Sequence, residues 1–302
     1  MPEATIKEIE FAPGKTLSIE TGRLAKQANG SVVVRLGDTM VLSTATLSDE
    51  VREGASFFPL TVDYREKFAA GGKVPGGFIK REGRPTDKET LTARLIDRAI
   101  RPLFPEGFYN DVHIVNYVIS ADEQYDADVV AGVGASAALM LSGAPFDGPI
   151  AEVRVGRVDG EFVVNPTVRE TDESDVNLIV AGKEDAIVMV EGAMKEVSEE
   201  EMVDALDVAH EAIKKLCRGQ RELVAAFGGP KTFEYETLVP DEELIRRVEE
   251  VVGGKIDDHI RQPYVKEEFY ARIGAIKDEA VERLTQGEDG LDEERAGEIR
   301  EA

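Results

Sequence analysis

Residues 65–101 hold ten Lys or Arg side chains against five Asp or Glu. The whole chain runs the other way, with 36 basic and 60 acidic residues and a net charge of -24. Cations gathered in one stretch of an acidic chain point to an anionic ligand. A polyphosphate backbone is the obvious one, because Arg and Lys neutralise phosphates and release their counterions. Two groups make up the stretch. Lys80, Arg81 and Arg84 sit in the glycine-rich run 71–85, beside Ile79 and Phe78, whose ring can stack on a base. Arg94, Arg98 and Arg101 follow at i, i+4 and i+7, on one face of a helix. Each group also has a plainer reading. The loop could be a solvated basic turn with Phe78 buried, and the helix arginines could pair internally with Asp97 or Glu89.

Other chemistry is thin. His113, His210 and His259 are scattered, with no acid or second His at metal-ligand spacing. Gly71-Gly72-Lys73 lacks the earlier glycine of a phosphate-binding P-loop. The single Cys217 excludes an internal disulfide and sits at an apolar helical position, so it reads as packing.

The elements that must position the cations can be read from periodicity and capping. Residues 31–35 and 40–46 read as two strands around Leu36-Gly37-Asp38-Thr39, and 60–64 as another. Thr86-Asp87-Lys88-Glu89 matches a capping box, which predicts a helix from near Asp87, with Leu91, Leu95 and Ala99 on one face, stopped by Pro102. Residues 113–120 read as a buried strand. Residues 127–141 are almost all small or apolar, with Gly132, Gly134 and Ala137 permitting close approach, and predict a buried helix on a sheet. Asp159-Gly160 marks a hairpin between 150–156 and 161–164, and 177–181 pairs with 186–191. Ser198-Glu199-Glu200-Glu201 caps a long helix that ends at Gly228-Gly229-Pro230. Beyond Pro240 no strand signal remains. Asp241 caps one helix carrying Leu244, Ile245, Val248 and Val252. Residues 265–285 form another, with Phe269, Ile273, Ile276, Ala280 and Leu284 on one face, and 287–302 read as a frayed acidic tail. The fold class is therefore α+β: a β/α-layered core over 1–230, then a small all-α domain over 231–302.

With 42% hydrophobic residues the chain can bury a core. No stretch approaches the roughly 20 apolar residues of a membrane span, and residues 1–3 begin no signal peptide. A soluble, cytoplasmic protein is expected. The acid excess fits either a salty cytoplasm, where repulsion of nucleic acid is screened, or a merely acidic bacterial protein.

Five segments carry a resemblance: FFPLTVDY at 57–64, PGGFIKREGRP at 75–85, ARLIDRAIRPLFP at 93–105, GASAAL at 134–139 and FDGPI at 146–150. The chain resembles the first part of the bacterial polynucleotide phosphorylase family. The resemblance implies a ribonuclease-PH-like core and a parent enzyme that degrades RNA from the 3′ end, with inorganic phosphate as co-substrate, in mRNA decay. It implies two such cores separated by a helical domain, then KH and S1 RNA-binding domains, in a homotrimeric ring around a channel. This sequence looks like the first core and the helical domain, without the rest. Single-stranded RNA, further copies of the chain and RNA-degradation partners are the implied partners. Mg²⁺ is implied as cofactor, with its ligands in the second core.

The run 78–84 resembles the family's channel-constriction loop, which usually has two aromatics and then two arginines. Here Ile79 replaces an aromatic and Lys80 an arginine, so stacking and the bidentate phosphate fork are each reduced. On the resemblance, Phe78, Ile79, Lys80, Arg81, Arg84, Arg94, Arg98 and Arg101 are the RNA-contacting candidates, with Arg94 and Arg98 structural or channel-lining.

No catalytic residue is assigned. Active cores of this type place a hydroxyl- or Thr-Arg-bearing phosphate segment before the small-residue helix. Here Asp122, Glu123, Asp126 and Asp128 fill it and would repel phosphate. Ser136 reads as packing. Active cores also place two acids six apart before a strand, to hold a divalent cation. Asp175 has Arg169 six positions earlier, Asn177 has Thr171, and no lysine stands nearby, so Asp172, Glu173 and Asp175 read as a solvated turn. The core is expected to be non-catalytic, with no metal site. A non-catalytic exosome-type ring subunit is the alternative, and the acid run argues against a stand-alone phosphorolytic ribonuclease.

Overall fold

The structure is a computed structural model and describes residues 4–52, 54–55, 57–229, 231–286 and 295–301. It divides into two compact units, Met1–Glu236 and Thr237–Ala302. The boundary falls after residue 230 because the next residues are tied to the core. Lys231 Nζ donates to Asn29 O at 2.9 Å, Phe233 N donates to Gly143 O at 3.0 Å, and the Phe233 and Tyr235 rings meet Phe108 edge-on.

The larger unit is built on two sheets. β1 (Thr5–Ala12), β2 (Lys15–Thr21), β3 (Gly30–Leu36) and β4 (Thr39–Val51) form consecutive antiparallel pairs. β6 (Asn110–Ser120) pairs antiparallel with β4, and β5 (Leu60–Glu66) closes the edge parallel to β6, giving the order β1-β2-β3-β4-β6-β5. The second sheet, in the order β10-β9-β7-β8, contains β7 (Ala151–Val158), β8 (Glu161–Val164), β9 (Val176–Gly182) and β10 (Ile187–Met194), all antiparallel.

Helix α2 (Asp128–Ser142) contacts β3 and β4 of one sheet and β7 of the other, and nearly every residue in it is buried. Only small residues allow such an approach. A Cβ at Gly134 would collide with Ser43 Oγ on β4, and one at Gly132 with the Glu152 carboxylate on β7. α4 (Glu199–Ala226) starts on the Ser198–Glu201 capping box and packs on β1 and the second sheet. Cys217 lies buried within it, and burial pushes its thiol up to about 12, so it is inert at neutral pH. The turn at Asp159-Gly160 has φ of 50° and 85°, the left-handed pair of a two-residue hairpin.

Several expectations need correction. Neither β1 nor β2 is anticipated above, although Leu17 and Ile19 alternate inward. The short helix α3 (Val168–Glu173) replaces an expected turn, capped by Thr167 and Glu170. Helix α1 (Asp87–Ile100) starts on the predicted Thr86–Glu89 box, but Leu91 is exposed and the inward face is Glu89, Thr92, Ile96, Ala99 and Ile100. The cap sets this phase. Glu89 turns inward to accept from Glu66 N at 2.8 Å and Thr86 N at 2.7 Å, which rotates Leu91 outward.

In the smaller unit, α5 (Glu242–Ile260), capped by Asp241, packs with α6 (Lys266–Thr285). Leu244, Val248, Val252, Ile276, Ala280, Leu284 and Ile299 form its core, while Ile245 is exposed. Residues 287–294 of the expected tail lie outside the described residues. Ala296–Glu301 is helical, α7, rather than frayed, with Ile299 buried.

Candidate nucleic-acid interface

The basic loop leaves β5 and returns at α1, and both of its feet are fixed. Lys67 Nζ binds Glu82 at 2.8 Å, Phe68 N donates to the other oxygen of Glu82, and Arg65 donates to Gly83 O at 3.0 Å. The Lys67 ammonium also lies 4.6 Å from the Tyr117 ring centroid on β6. A 3₁₀ turn over Phe68–Gly71 ends at Gly72, whose φ of 67° lets its N–H fold back on the turn. Between these anchors residues 74–81 project. Phe78 is fully exposed, Val74 is 84% exposed and Ile79 75%. The plain reading with Phe78 buried is therefore overturned.

Lys80, Arg81 and Arg84 are exposed and make no ion pair among the described residues. Lys80 also holds a positive φ of 50°. Arg94 is likewise exposed and unpaired. The other two helix arginines are engaged inside the fold. Arg98 binds Glu191 at 2.7 Å, and Arg101 donates to Asp97 at 2.8 Å and to Phe58 O and Leu60 O at 3.1 and 3.0 Å. Lys80, Arg81, Arg84 and Phe78 thus share one projecting loop, while Arg98 and Arg101 hold α1 to β10 and to the start of β5.

The cleft near the head of α2 behaves oppositely. It has a volume of about 510 Å³ and is lined by Lys88, Asp126, Asp128, Arg154, Asp172 and Asn177 among others. Its buried charges neutralise one another. Arg154 on β7 clasps Asp128 and the side-chain oxygen of Asn177. Behind them Glu152 is buried, with one carboxylate oxygen lacking a hydrogen-bond partner. Burial, reinforced by Asp128, pushes Glu152 up to about 8, so it stays protonated at neutral pH. Asp122 is structural, accepting from the N–H groups of Asp38, Gln124 and Tyr125. Ser136 Oγ accepts from Ile150 N, as packing requires.

Of the acids before β9, Asp172 and Glu173 are exposed at the end of α3, and only Asp175 is drawn into the fold. Asp175 is gripped by Arg157, which also holds Glu201; the Ser198 cap N–H and then Arg157 keep the Glu201 carboxyl down at about 2. Lys195 reaches the same corner, its Nζ 3.2 Å from Ser174 O and its N–H on Asp175 O. Sequence distance hides this lysine; the antiparallel register that sets Met194 opposite Val176 brings it there. His113, read above as lacking an acid, lies 2.8 Å from Asp63 across the β5–β6 pair. Among the described residues no group of three or more His, Cys, Asp or Glu is placed to hold a metal. With Asp128 and Asp175 both taken by arginine, the donors here do not fit a divalent cation.

Comparison with known proteins follows the same lines. Residues 14–145 match domain 1 of the 3′ exoribonuclease family and residues 148–212 match its domain 2. The chain belongs to the 3′ exoribonuclease family. It is similar to the N-terminal part of bacterial polyribonucleotide nucleotidyltransferases. The one from Salinibacter ruber is 69% identical over 93% of this chain, and that from Chlorobaculum parvum 51% over 93%. The chain spans about two fifths of the length of these relatives (39% and 38%). The chain also shares its fold with rice (Oryza sativa) Rrp46, with a TM-score of 0.55 at 16% identity, over 68% of this chain and 94% of that one. The ribonuclease-PH-like α+β core is thereby established. In this chain the cleft's Arg154 is spent on Asp128 and Asn177, while Lys80, Arg81 and Arg84 are exposed on the loop. No helix among the described residues is long and apolar enough to cross a membrane.

Proposed function

We propose that this chain is the RNA-gripping, ring-building first part of a cytoplasmic 3′-to-5′ phosphorolytic exoribonuclease of mRNA decay, and that it has no catalytic centre of its own. The observation that carries the reading is the loop tip. Lys80 and Arg81 there have no ionic partner among the described residues and flank a fully exposed Phe78, with Arg84 equally unpaired at the loop's base, on a protein of net charge -24. Cations alongside an exposed ring suit a single strand, whose phosphates and base faces they contact together. The names of the relatives support an RNA substrate and nucleotidyl transfer.

The closed cleft supports the absence of catalysis here. Phosphorolysis uses an anion as nucleophile and needs unspent cations or donors around it. Arg154 and Arg157 are both consumed by carboxylates. Mg²⁺ and the phosphate co-substrate would act in a part of the parent enzyme outside this chain, and three copies would form its ring.

Pure protein incubated with poly(A), phosphate and Mg²⁺ should release no nucleoside diphosphate above background, yet should bind single-stranded oligo(A). Phe78→Ala should weaken that binding by about 5- to 100-fold, the effect of one lost stacking contact. Steady diphosphate release would contradict the non-catalytic assignment, and unchanged affinity in Phe78→Ala would remove the stacking role.

A further inference from the structure

Beneath the loop lies a cavity of about 650 Å³ that the tip residues 74–81 do not line. One wall is the loop's own base, with Arg65, Lys67, Lys73 and Arg84, and another is the segment before α2, with Asp122 and Asp126. The two walls differ in what they leave unused. Lys67 is bound to Glu82 and Arg65 to Glu89, but Lys73 and Arg84 have no ionic partner among the described residues. On the other side Asp122 is held by backbone N–H groups, and Asp126 faces Lys88 at 3.0 Å, an ammonium it shares with Glu66.

The cavity is therefore polarised rather than simply basic. Its formal charges balance, with five cations against Glu66, Glu82, Glu89, Asp122 and Asp126, but the two unspent cations, Lys73 and Arg84, both belong to the loop's base. Phe68 lines the same wall and is 45% exposed. Gly71 and Gly83 also line it, and open space lies where a Cβ would stand at either, so a flat ligand can approach the backbone. A nucleotide has the matching polarity. Its phosphate accepts only, while its ribose hydroxyls and base amino groups donate and can face carboxylates.

We infer that this cavity seats one nucleotide of a bound RNA strand, with its phosphate on Lys73 and Arg84 and its base against Phe68. The inference rests on the reading of the tip as an RNA grip and extends that grip inward, from a point contact to a path. Lys73 becomes a phosphate-binding residue and Phe68 a second stacking surface.

The test is the affinity of the 302-residue protein for a fluorescent oligo(A) RNA across a salt series. Wild type, Lys73→Ala, Lys73→Arg and the tip variant Lys80→Ala/Arg81→Ala are compared. Lys73 is exposed and unpaired, so its replacement should leave thermal unfolding unchanged. Lys73→Ala should weaken binding about 3- to 10-fold and make the log–log salt slope shallower by about 1, while Lys73→Arg keeps the wild-type slope. If the tip variant binds more weakly but Lys73→Ala matches wild type in affinity and slope, the cavity contact is wrong and the tip grip stands. If neither variant differs from wild type, both fail.

Discussion

The loop at 68–84 and the cleft at the head of α2 are both rich in charge, and they use it in opposite ways. In the cleft Arg154 is half-buried between Asp128 and Asn177, and further along β7 the half-buried Arg157 lies between Asp175 and Glu201. Each guanidinium there has a carboxylate partner supplied by the fold. Among the described residues the loop's pairing is confined to its feet, and the tip holds its cations and an aromatic ring in solvent. Internal pairing yields structure, whereas cations held apart from acids on an acidic protein remain free for an external anion. Within one core, then, one set of charges is spent on the fold and another is left in solvent.

That contrast can be broken from the cleft side first. Arg154→Ala would strand the Asp128 carboxylate in the interior and should cost about 3–5 kcal/mol in urea denaturation, while oligo(A) affinity per folded molecule stays as in wild type. A loss of RNA binding beyond the loss of fold would tie the cleft to the ligand. Glu152 offers a smaller, pH-dependent effect. Its folded value of about 8 lies above the ordinary 4.5, so its contribution is complete in acid and is lost as pH rises from about 4.5 through 8. Glu152→Gln cannot ionise and should flatten this decline, gaining on the order of 1–3 kcal/mol over wild type at pH 8.5 relative to pH 5.5. Parallel melting curves for the two proteins across that range would contradict the buried, protonated acid. Thr86 stands between the two regions, capping α1 just beyond the loop. Thr86→Ala should cost about 1 kcal/mol and, because the feet rest on Lys67–Glu82 and Arg65–Gly83, should leave the RNA salt slope intact. Least of all should the tip matter to stability: Lys80→Ala/Arg81→Ala is expected within about 0.5 kcal/mol of wild type.

The sequence carried much of this where local rules decide. The capping boxes at Thr86, Thr167 and Ser198 are all formed on the same Ser/Thr-x-x-Glu spacing, and two of them are predicted above. The glycines of α2 announce a close approach, and the Asp159-Gly160 turn announces its hairpin. What stayed hidden depends on pairing between distant strands. Nothing in the spacing says that Arg154 meets Asp128 across 26 residues, or that Lys195 returns to Asp175. The fate of the α1 arginines was equally unreadable, because Arg94, Arg98 and Arg101 look alike in spacing. The fold then commits Arg98 to Glu191 and Arg101 to Asp97, and leaves Arg94 in solvent. Leu91 was misplaced for a related reason: helical period gives a face, but the Glu89 cap sets which way it points.

The central claim is that the unpaired tip, and not the closed cleft, meets RNA. The most direct measurement is the slope of log affinity against log salt for single-stranded RNA, compared between wild type and Lys80→Ala/Arg81→Ala. A slope shallower by between 1 and 2, with an unchanged melting temperature, is the result this account predicts. A slope identical to wild type would contradict it.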